Sequence, residues 1–201
     1  NGSIIGEIYQ IGVPSIIMQS IGSVMTAGMN VILMGISSTA AAVFGVYFKL
    51  QSFFFMPVFG LNNGLIPIVS YNYGAGNKER MKNTMKYGYQ IAFIFLMLGS
   101  AAFMLIPEQL LLLFDASKDM LAIGVPALRP IGVHFLSAWY CIVTGPLFQA
   151  VGNAMYSLYV SVARQLVVLL PAAYILAKIG GLSLIWWSFP IAEIMSFIIS
   201  T

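Results

Sequence analysis

Five polar side chains in the first apolar stretch, Ser15, Gln19, Ser23, Thr26 and Asn30, recur at spacings of 4, 4, 3 and 4 residues. At about 100° per residue they share one face of a helix. Such a face supplies hydrogen bonds, either to a neighbouring helix or into an aqueous or substrate cavity. The length of the row and its Gln and Asn content favour the cavity. Near the other end of the chain, Glu193 stands alone in an apolar run. A carboxylate there needs a cationic partner or a proton, so it suits proton coupling or recognition of a cation, with a structural ion pair as the alternative. Lys49 and Asn63, 14 residues apart in a second apolar stretch, fall near one helix face. They suit a cavity wall, or, for Lys49, a side chain that snorkels to the membrane interface.

The remaining ionisable groups have structural accounts at least as good. Arg129 lies between Pro126 and Pro130, where it can satisfy carbonyls freed by the prolines. Arg164 fits an inner-leaflet anchor, and the lone His134 fits helix packing. By estimated depth, Lys49 and Arg129 are the candidate partners of Glu193. The chain lacks HExxH, CxxC and a Gly-rich loop ending in GK[ST], and Cys141 is its one cysteine. No metal centre, disulfide framework, resident cofactor or enzymatic activity is expected.

These residues must be positioned by elements that live in lipid. Only 7% of the residues are charged and 60% are hydrophobic, whereas a soluble domain carries roughly 25% charge. The net charge of +3 is small and local, which fits contact with anionic lipid and excludes nucleic acid as a partner. Six apolar segments reach the roughly 20 residues that span a bilayer: about 8–36, 42–73, 87–107, 120–147, 157–177 and 182–201. They are continuous and too long for barrel strands, so helices must satisfy the backbone. The expected fold is an all-α integral membrane unit of six transmembrane helices in one domain, 1–201. The chain starts without Met and ends with its last segment barely complete, and it reads as a piece of a longer protein.

The connections are short. Residues 74–86 form a basic loop carrying Lys78, Arg80, Lys82 and Lys86. Residues 108–119 hold Lys118 beside three acids, and the apolar run 110–114 among them fits a short interfacial helix. Turns are expected at Gly152-Asn153 and Gly180-Gly181. The Lys and Arg asymmetry puts the 74–86 loop in the cytoplasm and the 108–119 loop outside, with both chain ends cytoplasmic.

Three runs carry a family resemblance: Lys49-Leu50-Gln51-Ser52-Phe53-Phe54-Phe55-Met56-Pro57, then Gly60-Leu61-Asn62-Asn63-Gly64, then Tyr71-Asn72-Tyr73-Gly74-Ala75-Gly76-Asn77 with Arg80. With Trp186-Trp187, Pro190 and Glu193, the sequence resembles the multidrug and toxic compound extrusion (MATE) family, bacterial type. That resemblance implies one lobe of a twelve-helix transporter, most like the C-terminal lobe, working against a second lobe in the bacterial inner membrane. It implies export of cationic or lipophilic small molecules in exchange for protons or sodium ions. The site candidates are then Gln19, Ser23, Thr26, Asn30, Lys49, Asn63 and Glu193. Some members carry cation-site acids in the helices matching segments one and four; segment one has none after Glu7 and segment four none after Asp119. Coupling would depend on Glu193 or on the other lobe. The alternative is a lipid-linked oligosaccharide flippase of the same superfamily, kept open by Lys49, Arg129 and Arg164.

Overall fold

A computed structural model describes residues 2–152 and 154–200. Helix α1 runs Gly2–Met34, α2 Ser38–Gly74, α3 Lys78–Leu105, α4 Pro107–Leu112 and α5 Lys118–Ala150. Helix α6 (Ala154–Val162) passes through a π-helical segment, Ala163–Leu169, into α7 (Leu170–Ile185), and α8 is Ser188–Ser200. Among the described residues there is no strand, and five helical spans are long and apolar enough to cross a membrane. The stretch Ser188–Ile199 is apolar but shorter.

Local chemistry sets the helix ends. Ser37 caps α2 by accepting from the Ala40 N–H, and Ser117 caps α5 by accepting from Met120 N–H. Pro107 opens α4, where its missing N–H leaves no intrahelical bond unmade. Residues 74–86, expected as a loop, are mostly helix. Gly76 takes φ 68° and Asn77 accepts from the Arg80 N–H at 3.1 Å, so the chain turns within residues 75–77. Lys78 through Lys86 are then the first turns of α3. The short helix expected in the third connection is α4, one turn earlier than the 110–114 run.

Between the last two segments the backbone leaves helical geometry at Gly181 (φ 59°, ψ −142°), a conformation available in practice only to glycine. A second turn at residues 186–187 separates α7 from α8. The fifth segment begins at Ala154, earlier than the expected residue 157. Asn153, expected beside Gly152 in a turn, lies outside the described residues, as do Asn1 and Thr201.

Helix α5 is the hub, packed against α2, α3, α4, α6 and α8. Its neighbours are tied to it by interhelical hydrogen bonds, which substitute for the hydrophobic drive that lipid removes. Asn62 of α2 donates to the Ile142 carbonyl at 2.9 Å, Ser70 to the Ala150 carbonyl at 2.9 Å, and Ser100 of α3 to the Gly132 carbonyl at 2.8 Å. Close approach needs small residues. A Cβ on Gly99 would lie 2.9 Å from the Phe135 ring and 3.0 Å from Phe54. Around this contact the rings of Tyr47, Phe103, Phe135 and Phe189 meet mainly edge-on or tilted, with centroids 5.0–6.3 Å apart.

Candidate functional site

The inner face of α8 presents Ser188, Phe189, Ala192, Glu193 and Ser196, all buried. Glu193 is 1% exposed. The Nη1 of Arg164, carried by the π-helical segment, lies 3.2 Å from Glu193 Oε2 and 3.5 Å from Oε1. The His134 Nδ1 of α5 is 3.4 Å from Oε2. The imidazole stacks on Phe55, with centroids 6.1 Å apart and an interplanar angle of 4°.

An apolar site holding one acid and two basic side chains is costly, and such groups persist in membranes where they pair and do work. The guanidinium side chain is 26% exposed, so it is the open side of the cluster. Deeper in, Tyr47 Oη and His134 Nδ1 are buried and make no hydrogen bond among the described residues. A buried polar atom without a hydrogen bond is rare enough to call for an explanation. Among the described residues, no three His, Cys, Asp or Glu side chains converge as a metal site.

The partners of Glu193 are therefore Arg164 and His134; Lys49 and Arg129, expected from depth, are elsewhere. Lys49 is exposed, with its Nζ 5.9 Å from the centre of the Phe114 ring in the α4–α5 connection. Arg129 is exposed on α5. Arg164, expected as an interfacial anchor, stands ten residues beyond the start of α6 at Ala154, about 15 Å along the helix, and is paired with Glu193. His134 does pack between helices, but at the acid.

The polar row of α1 flanks the packed face of that helix. Ser15 and Thr26 are half-buried, with Thr26 donating to the Gly22 carbonyl at 2.9 Å and Ser15 to Gln149 Oε1 at 3.4 Å. Asn30 is half-buried, while Gln19 and Ser23 are exposed. Asn63 is exposed, and its neighbour Asn62 is the residue turned into the bundle. Glu193, His134 and Tyr47, with the part-exposed Arg164, thus form one cluster, whereas Gln19, Ser23, Lys49 and Asn63 are exposed and Thr26 and Asn30 half-buried.

A family model described as MatE matches residues 14–175. The multidrug export protein MepA of Staphylococcus haemolyticus is 27% identical over 188 residues, 93% of this chain and 41% of that protein. MepA of Staphylococcus saprophyticus is 29% identical, across 94% of this chain and 42% of its own length. The chain therefore spans about two fifths of these relatives. Among solved structures, the MATE multidrug transporter DinF-BH, determined in complex with R6G, is 36% identical with a TM-score of 0.85, covering 98% of this chain and 45% of that one. An outward-facing MATE transporter of the MOP superfamily superimposes with a TM-score of 0.91 at 24% identity over 100% of this chain and 46% of its own.

Proposed function

The chain belongs to the MatE family, and from that premise we propose that it is the C-terminal six-helix lobe of a bacterial multidrug exporter, a transporter and not an enzyme. The other lobe of the same protein is its partner, and cationic or lipophilic compounds are its cargo. The whole is multi-pass in the inner membrane with both ends of this lobe cytoplasmic. Alternating access rocks the two lobes around a midplane site, with the polar row of α1, Lys49 and Asn63 on the cavity side.

The observation that carries the coupling is the Arg164–Glu193–His134 cluster. A carboxylate that can exchange its bond to a guanidinium for a proton has two states at one place, and the two states differ in charge. The atoms that pair with it are guanidinium and imidazole nitrogens. Hard cations are held by shells of oxygen ligands, so this set supports proton over sodium coupling. The flippase reading is less favoured, because the curated relatives are multidrug export proteins and Arg164, one of the three cations that kept it open, is matched by Glu193. The test is dye efflux by the full-length protein with sodium and pH gradients imposed separately. Efflux that follows the pH gradient is the expected result, and efflux driven by sodium alone would overturn the proton assignment.

A further inference from the structure

A groove of about 610 Å³ runs along the outside of the bundle between α3 and α5. We propose that it holds one anionic phospholipid from the leaflet that faces the α2–α3 turn, with Lys82 and Lys86 taking the headgroup phosphate and the groove taking an acyl chain. The inference uses the membrane reading and the orientation of the helices; it does not depend on which compounds are exported.

The geometry follows from the length of α3. Its 28 residues extend about 42 Å at 1.5 Å per residue, against a hydrocarbon core of roughly 30 Å. The surplus falls at the N-terminal end, where the turns from Lys78 to Lys86 are charged and the rest is apolar. Lys82 and Lys86 therefore stand at headgroup level, one turn apart on the rim of the groove. The groove spans Met81 to Phe93, and the stretch beyond Lys86, about 10 Å, takes the upper part of an acyl chain.

Apart from Gln90 and the two lysines its lining is largely apolar. Met81, Met85 and Leu147 line the part nearest the lysines, and methionine adapts its shape to irregular apolar partners. Tyr89, Phe93 and Trp139 line the deeper part. The Trp139 ring stands edge-on to both others, with centroids at 5.9 and 5.5 Å. The Tyr89 hydroxyl is already bonded to Thr144 at 2.9 Å, so it makes no polar demand on an occupant.

Charge selects the headgroup. The turn and first helical turns carry Lys78, Arg80, Lys82 and Lys86 against the single acid Glu79. A zwitterionic lipid would fill the groove but gain nothing from this excess, whereas each lysine near an anionic surface is worth about fivefold in binding.

The experiment is native mass spectrometry of the full-length protein, titrated with phosphatidylglycerol or phosphatidylcholine of identical acyl chains. Preferential retention of phosphatidylglycerol is expected, with a loss of about 30-fold in the Lys82→Ala/Lys86→Ala double variant. Lys178→Ala, whose ammonium sits 4.6 Å over the Tyr174 ring on α7, should bind phosphatidylglycerol as the parent does. Equal retention of the two lipids, or unaltered affinity in the double variant, would overturn the proposal. So would displacement of the lipid by glycerol phosphate at matched concentration, since the headgroup alone would then suffice.

Discussion

The Arg164 guanidinium lies 3.2 Å from the Glu193 carboxylate, joining the π-helical segment to α8 across 29 positions of sequence. Glu193 is almost fully enclosed while Arg164 is partly open. The pair therefore has one enclosed member and one member open on a side.

The first prediction concerns the enclosed member. Glu193→Gln keeps the size of the side chain and removes its ability to gain and lose a proton. In the full-length protein it should abolish or strongly reduce drug resistance and dye efflux while expression persists. Resistance in growing cells and protein level by immunoblot measure both. Unchanged efflux would remove Glu193 from the mechanism.

The second concerns the pair. Arg164→Ala leaves a buried carboxylate without its cation, and removing one partner of such a pair costs about 3–5 kcal/mol. The partial exposure of Arg164 puts the expectation at the lower end, since water can reach the vacated side. Adding Glu193→Gln should restore much of the loss, because the stranded charge is gone. Thermal unfolding of the purified protein measures all three variants. A double variant as unstable as Arg164→Ala would show that the guanidinium acts by packing instead.

Much of this fold was readable in the residues. The apolar segments, the absence of strands and the MATE resemblance follow from run length, charge scarcity and the Gly-Ala-Gly-Asn turn. Glu193 stood out because it is the sole acid of its segment. Its partners did not. Placing Arg164 at the membrane interface took the fifth segment to begin at residue 157, whereas α6 starts at Ala154 and continues through the π-helical turn. A shift of a few residues and an altered helical register change both depth and face. His134 had no acid near it in sequence, and the contact is made by α8 folding back across α5. Asn62 and Asn63 differ by about 100° on one helix, and only packing shows that Asn62 is the inward one.

The third prediction tests the packing that brings those helices together. Ala at Gly99 places a methyl 2.9 Å from ring atoms of Phe135, and neither Phe135 nor Phe54 can move without disturbing the aromatic core. A destabilisation of about 1–3 kcal/mol is expected. Gly45→Ala is the comparison, since a Cβ there meets nothing within 4 Å and alanine favours helix. Thermal unfolding should separate the two, and equal melting temperatures would mean that α3 can shift away from α5 without cost.

The fourth prediction asks which side of α1 meets water. Gln19 and Ser23 are exposed on the polar row, whereas Val24 is exposed on another face of the same helix. Exposure in one lobe does not distinguish a cavity from lipid, but polarity does, because lipid offers amides and hydroxyls no hydrogen bonds. In a cysteine-free full-length protein, Gln19→Cys and Ser23→Cys should react with a membrane-impermeant maleimide, and bound substrate should slow the reaction. Val24→Cys should stay unlabelled because its thiol would face acyl chains. Comparable labelling at all three positions would break the link between the polar row and the cavity. Absence of labelling at Gln19 and Ser23 would instead assign the row to contact with another helix.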